Sequence, residues 1–153
     1  MIFSETFEAI VWDHFGQGNL SDMIEIWDVG SPQLHTAMLG GAFGSAKSLG
    51  WYGGGVAAVP SSATMKLPPM LDALKTVQLK FDGFSAVDLS ILVSRAGCPV
   101  VTETISSSNW TTHVMTLPSC GVSSKIVFQV GAVYQYTPNS FALKIDNIEV
   151  AYL

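Results

Sequence analysis

Charge is scarce in this chain. Asp, Glu, Lys and Arg make up 12% of its 153 residues, about half the share of roughly 25% found in an ordinary soluble domain. Much of the surface is therefore neutral, built from Ser, Thr, Gly, Ala and exposed apolar groups. Such a surface repels copies of itself weakly and suits a protein that works packed against neighbours. Positive charge is scarcest: one arginine, Arg95, and six lysines leave a net charge of −5. No cationic stripe exists to neutralise phosphates, which excludes a nucleic-acid binder and disfavours an anionic membrane surface. No apolar run approaches the ~20 residues of a membrane-spanning helix.

Other absences narrow the chemistry. The two cysteines, Cys98 and Cys120, are too few for a disulfide scaffold and lack zinc-site spacing. His14, His35 and His113 stand apart, with no paired spacing that would make a metal or proton-transfer site. There is no G-x-S-x-G elbow. The run Gly40-Gly41-Ala42-Phe43-Gly44-Ser45-Ala46-Lys47-Ser48 places Ala46 where a phosphate loop needs glycine. Acidic pairs such as Glu25 with Asp28 or Glu103 have no spacing that singles them out for glycoside cleavage. The expectation is a protein that is not an enzyme. Met1 to Glu8 has no basic region followed by an apolar stretch, so it does not read as a secretion signal.

What is present is β-periodicity. Val77, Leu79 and Phe81 alternate with Gln78, Lys80 and Asp82, and Val87, Leu89, Ile91 and Val93 repeat the pattern. Asp82-Gly83 between them is a turn signal, so the two runs are expected to form a hairpin. Residues 99–105 and 110–117, divided by Ser106-Ser107-Ser108-Asn109, are expected to form a second one. Cys98 and Cys120 would then lie near its open end, where a bridge and two buried thiols are equally open readings. Ile126, Phe128 and Val130 mark another strand. In the last strand the apolar positions change parity, from Phe141, Leu143 and Ile145 to Ile148, Val150 and Tyr152, which calls for a bulge near Asp146-Asn147. Residues 23–27 read as a strand, 37–58 as a Gly-rich stretch, and Pro68-Pro69 to Leu74 as room for one helical turn. No repeat, linker or boundary appears, so residues 1–153 are expected to be a single domain, long enough to bury roughly 70% of its unfolded surface.

The order of these elements resembles the jelly-roll superfamily of MAM, cleaved-adhesin and choice-of-anchor domains and carbohydrate-binding modules. Phe7-Glu8 matches its first strand, and Ile145-Asp146-Asn147-Ile148-Glu149-Val150 matches its last. The resemblance implies an all-β fold: an antiparallel two-sheet β-sandwich, a jelly roll, with the first and last strands adjacent. It also implies a structural Ca²⁺ held by Glu8 and Asp146, with Glu5 a local addition, since calcium takes six to eight oxygen ligands. Trp51 and Tyr52, inside the Gly-rich stretch, are the candidate sugar contacts, because a flat ring desolvates the apolar side of a pyranose. Trp110 is assigned to core or hairpin packing.

Two functions follow from different classes. The first is a non-enzymatic structural or assembly protein, a phage virion component of capsid-decoration or fibre type on the virion surface, forming a homo-oligomer. The alternative is a carbohydrate-binding or adhesin module that recognises a surface polysaccharide, extracellular or at the cell surface as part of a larger protein.

Overall fold

The computed structural model describes residues 3–5, 17–19, 27–29, 34–37, 42, 48–52, 61–85, 89–105, 109–121, 123–130 and 141–153. These form twelve strands: β1 (Phe3–Glu5), β2 (Gln17–Asn19), β3 (Trp27–Val29), β4 (Leu34–Ala37), β5 (Ser48–Tyr52), β6 (Ser61–Leu71), β7 (Val77–Ser85), β8 (Leu89–Arg95), β9 (Val101–Ile105), β10 (Thr111–Leu117), β11 (Ser123–Val130) and β12 (Phe141–Tyr152). They build two antiparallel sheets. One, of seven strands, runs β10-β7-β12-β5-β4-β2 with β1 also on β12; the other, of five, runs β3-β6-β11-β8-β9.

Alternation decides what is inside. Val77, Leu79, Phe81 and Ser85 are buried while Gln78, Lys80 and Phe84 are half-buried, so odd positions of β7 face the core. Met115 and Leu117 continue that face on β10, and Leu143, Ile145, Ile148 and Val150 on β12. Met65, Leu67, Ile91, Val93, Ile126 and Phe128 meet them from the five-stranded sheet. Each fully buried side chain of this kind contributes on the order of 1.5–3 kcal/mol. The parity change in β12 is resolved by a bulge: register on β7 shifts between Asp146 and Glu149, and Asn147 takes a φ of 48°. Asparagine tolerates this left-handed conformation better than most residues. The bulge also divides the other side of β12, which β5 pairs along Phe141 to Ile145 and β1 along Ile148 to Val150. The first and last strands are thus adjacent.

Neither expected hairpin forms. β7 and β8 lie in different sheets, as do β9 and β10. Asp82-Gly83 is no turn; β7 continues through it to Ser85, because Asp82 is a hydrogen-bonded ladder residue and Gly83 lies where a Cβ would meet His113 and Ile105 at 3.2 Å. β8 instead forms a hairpin with β9, turned through Gly97 at a φ of 80°. Pro68-Pro69 holds strand rather than a helical turn. The register of β11 on β6 jumps there, from Lys125 opposite Lys66 to Ser123 opposite Leu71, as expected where two successive residues have no N–H to give. The chain then turns at Asp72, whose carboxylate accepts the Leu74 N–H at 2.9 Å.

One end of the sandwich is organised by Arg95, which is 1% exposed. Its guanidinium donates to the carbonyl oxygens of Lys75 and Asp72, both at 2.9 Å, of Gly121 at 3.1 Å and of Pro118 at 3.4 Å. Beside it, Cys98 and Cys120 form a disulfide with Cα atoms 5.8 Å apart. The bridge joins the turn after β8 to the loop after β10, not the ends of a hairpin.

Candidate functional site

The outer face of the seven-stranded sheet carries two unlike rows of side chains. The first is aromatic and cationic. Phe84 on β7 is paired across the ladder with Lys144 on β12, whose Nζ lies 5.8 Å from the Phe84 ring centre. On the other side Trp110, just before β10, packs its ring 5.8 Å from Phe84 at a 40° tilt. All three are half-buried. Burial lowers the Lys144 pKa from the ordinary lysine value, since the partly desolvated site disfavours the ammonium form. A tilted aromatic pair with a cation at its edge offers ring area at little conformational cost, and a charged donor beside it.

The second row is carboxylate. Asp82 and Asp146 are ladder partners at the bulge, 6% and 0% exposed. Asp82 accepts from the Thr112 hydroxyl at 2.5 Å and from the Asn147 side-chain amide at 2.8 Å. Asp146 accepts the backbone N–H of Asn147 at 2.8 Å and of Ala42 at 2.9 Å. Buried carboxylates with several such donors are fixed in place rather than presented to solvent. Farther along the sheet Lys80 and Glu149 form an ion pair at 3.3 Å.

The residues singled out from sequence fall as follows. Trp51 and Tyr52 are in β5, at the ladder positions of Leu143 and Phe141. Glu5 is in β1, opposite Ile148. Glu8 lies outside the described residues. Asp146 is at the bulge, held by two N–H groups, and among the described residues no group of three or more His, Cys, Asp or Glu is placed to hold a metal ion. The described side chains therefore do not fit a calcium shell by themselves. Trp110 packs on Phe84 of β7 at the outer face, neither in the core nor within a β9–β10 hairpin. Phe84 and Lys144 carried no sequence signal beyond their even parity, and Asp82 was hidden by its resemblance to a turn residue.

No protein-family model and no curated protein matches the chain. Among solved structures, an arabinose-bound GH51 α-L-arabinofuranosidase is similar with a TM-score of 0.65 and 12% identity, over 88% of this chain and 24% of that one. The enzymatically active domain of tailspike protein 4 from bacteriophage CBA120 gives 0.54 and 13%, over 85% of this chain and 20% of that one. The chain thus spans about a quarter and a fifth of these two proteins. The CBM22-1 xylan-binding domain from Paenibacillus barcinonensis gives 0.60 and 13%, over 99% of this chain and 93% of that one. Further carbohydrate-binding modules, of families 6 and 29, share the sandwich over nearly their whole length. The fold is that of jelly-roll carbohydrate-binding modules.

Proposed function

We propose that the chain is a carbohydrate-binding module without catalytic activity, and that Trp110 and Phe84, with Lys144 beside them, contact the sugar. The observation that carries this is the half-exposed aromatic pair on the outer face of a sandwich similar over its whole length to a xylan-binding domain. A pyranose laid on these rings would bury its apolar face, while the Lys144 ammonium donates to ring hydroxyls. Trp51 and Tyr52 are the second pair of proposed contacts. The assembly alternative, a virion component forming homo-oligomers, takes second place. Its structural support is a tailspike in which such a sandwich is a fifth of the chain, whereas the whole-length likenesses are to binding modules.

A polysaccharide ligand implies work outside the cytosol. The Cys98–Cys120 disulfide supports the same location, because such bonds persist in oxidising compartments.

The test is depletion of the purified chain from solution by insoluble xylan, cellulose and galactan, for wild type, Trp110→Ala with Phe84→Ala, and Trp51→Ala with Tyr52→Ala. Loss of each contacting ring should cost about 0.5–1.5 kcal/mol, a weakening of roughly 2- to 12-fold. The function is refuted if no polysaccharide retains the folded wild type. Retention unchanged by the Trp110/Phe84 variant removes the proposed site.

A further inference from the structure

Where the edges of the two sheets meet, β9 and β10 bring together a carboxylate, an imidazole and a hydroxyl. Glu103 Oε1 lies 3.1 Å from His113 Nδ1, and Thr111 Oγ1 lies 2.9 Å from His113 Nε2. An ionised carboxylate only accepts hydrogen bonds, so Nδ1 carries the ring proton and donates it to Glu103. In the neutral ring Nε2 then holds a lone pair, to which the Thr111 hydroxyl can donate. The ring is held on two sides. It stacks on the buried Phe81 ring, centroids 5.4 Å apart at 18°, and its Cδ2 lies 3.2 Å from where a Cβ on Gly83 would stand. The His113 side chain is 11% exposed and that of Glu103 35%, while Thr111 is exposed. The base is therefore sheltered and oriented, and the hydroxyl is open to solvent.

From this geometry we propose that Thr111 is an acyl-accepting nucleophile, activated by His113 and oriented through Glu103, with activated carboxylic esters as its reactants. A hydroxyl at neutral pH is a weak nucleophile until a neighbouring base takes its proton, and this arrangement supplies the base and the group that fixes its tautomer. In the step, Thr111 Oγ1 forms a bond to the carbonyl carbon of the ester and its proton passes to His113 Nε2. The bond from that carbon to the alcohol oxygen breaks, and the departing alkoxide takes the proton from Nε2. The products are a Thr111 ester and the free alcohol. Nδ1–H remains on Glu103 throughout, and no oxidant or co-reactant is needed. The step ends at the Thr111 ester without turnover, so it is a single self-acylation and not catalysis, and it is independent of sugar binding.

The probe is p-nitrophenyl acetate, with the acetylated positions mapped by peptide mass spectrometry and nitrophenolate release followed by absorbance. Acetyl is expected on Thr111 in the wild type, to persist in Thr111→Ser and to vanish from that peptide in Thr111→Ala. His113→Gln should slow the transfer by about 100-fold or more, the usual effect of removing a general base. Glu103→Gln, an isosteric change at a side chain 35% exposed, should slow it at least about tenfold by loosening the imidazole's orientation. Thermal melts of each variant confirm folding. The proposal is overturned if acetyl is found only on lysines and the chain terminus, or if folded Glu103→Gln and His113→Gln label Thr111 at the wild-type rate.

Discussion

Replacing Arg95 by methionine should destabilise the protein by roughly 2–4 kcal/mol, although a buried cation with no carboxylate among its partners looks dispensable. Three of its hydrogen bonds, to Asp72, Lys75 and Gly121, are between 2.9 and 3.1 Å, and the fourth, to Pro118, is long at 3.4 Å. Hydrogen bonds to charged groups contribute about 1.5–3 kcal/mol each. Here Asp72, Lys75 and Gly121 belong to exposed turns, so their carbonyls regain water and the cost falls to about 1 kcal/mol apiece. Methionine relieves the desolvation of the guanidinium but cannot bridge the turn at 72–75 to the loop at 118–121, and that bridging is what the four bonds achieve. For a chain of this size the change corresponds to a fall in Tm of roughly 4–16 °C. Arg95→Lys should lose much of the same stability, because one ammonium cannot span four carbonyls. Urea unfolding gives the magnitude, and amide exchange should show early opening at 72–75 and 118–121. An Arg95→Met midpoint within about 0.5 kcal/mol of wild type would refute the reasoning.

Reduction of Cys98–Cys120, which closes a separation of 22 residues, should remove about 3 kcal/mol by the loop-entropy estimate; a dithiothreitol-treated chain that melts unchanged would contradict it. Gly83→Ala should cost about 1–3 kcal/mol, since its Cβ meets His113 and Ile105 at 3.2 Å inside a packed layer, and denaturant midpoints would show it. The folded-state pKa of Lys144 lies below 10.5, so between that lowered value and 10.5 the unfolded chain binds the extra proton. Stability should therefore rise with pH across that alkaline window, with the burial penalty fully present at neutral pH. Lys144→Met should abolish the rise, and a slope unchanged in the variant would reassign it. If calcium joins Glu8 to Asp146, EDTA lowers the Tm and Asp146→Asn removes that response; an unchanged Tm on chelation removes the ion.

How much was legible depended on whether a residue's role followed from its spacing alone. The core of β7, β11 and β12 could be read directly, because Val77, Leu79, Phe81, Ile126, Phe128, Leu143 and Ile145 repeat every second position. The bulge at Asp146-Asn147 was equally readable, since a parity change in one strand has few other solutions. The adjacency of the first and last strands followed from the resemblance, but the partners of β7 to β10 were not readable. Asp-Gly between two alternating runs means a turn in most chains, but here β7 and β8 lie in different sheets. Local turn propensity yields to the long-range ladder of β7 with β10 and β12. The same limit hid the Glu103–His113–Thr111 constellation. His113 and Thr111 are two residues apart on one strand, but nothing local says that Glu103, on a strand of the other sheet, lies opposite them.

Burial also separates what holds the sheet from what its outer face can bind. Trp110, Phe84 and Lys144 are half-exposed and make their described ring contacts with one another, so truncating them removes the proposed recognition surface at small cost to the core. Asp146 behaves in the opposite way. It is fully buried on the closing strand, and through the Ala42 N–H it reaches 104 residues back along the chain into the Gly-rich stretch. That stretch contains β5, which pairs with β12 on the N-terminal side of the bulge and carries Trp51 and Tyr52. A substitution at Asp146 therefore acts on the backbone support of that second pair of proposed contacts without touching sugar. In a binding assay it would resemble a site mutation. Only its accompanying loss of stability, which Trp110→Ala should lack, tells the two apart.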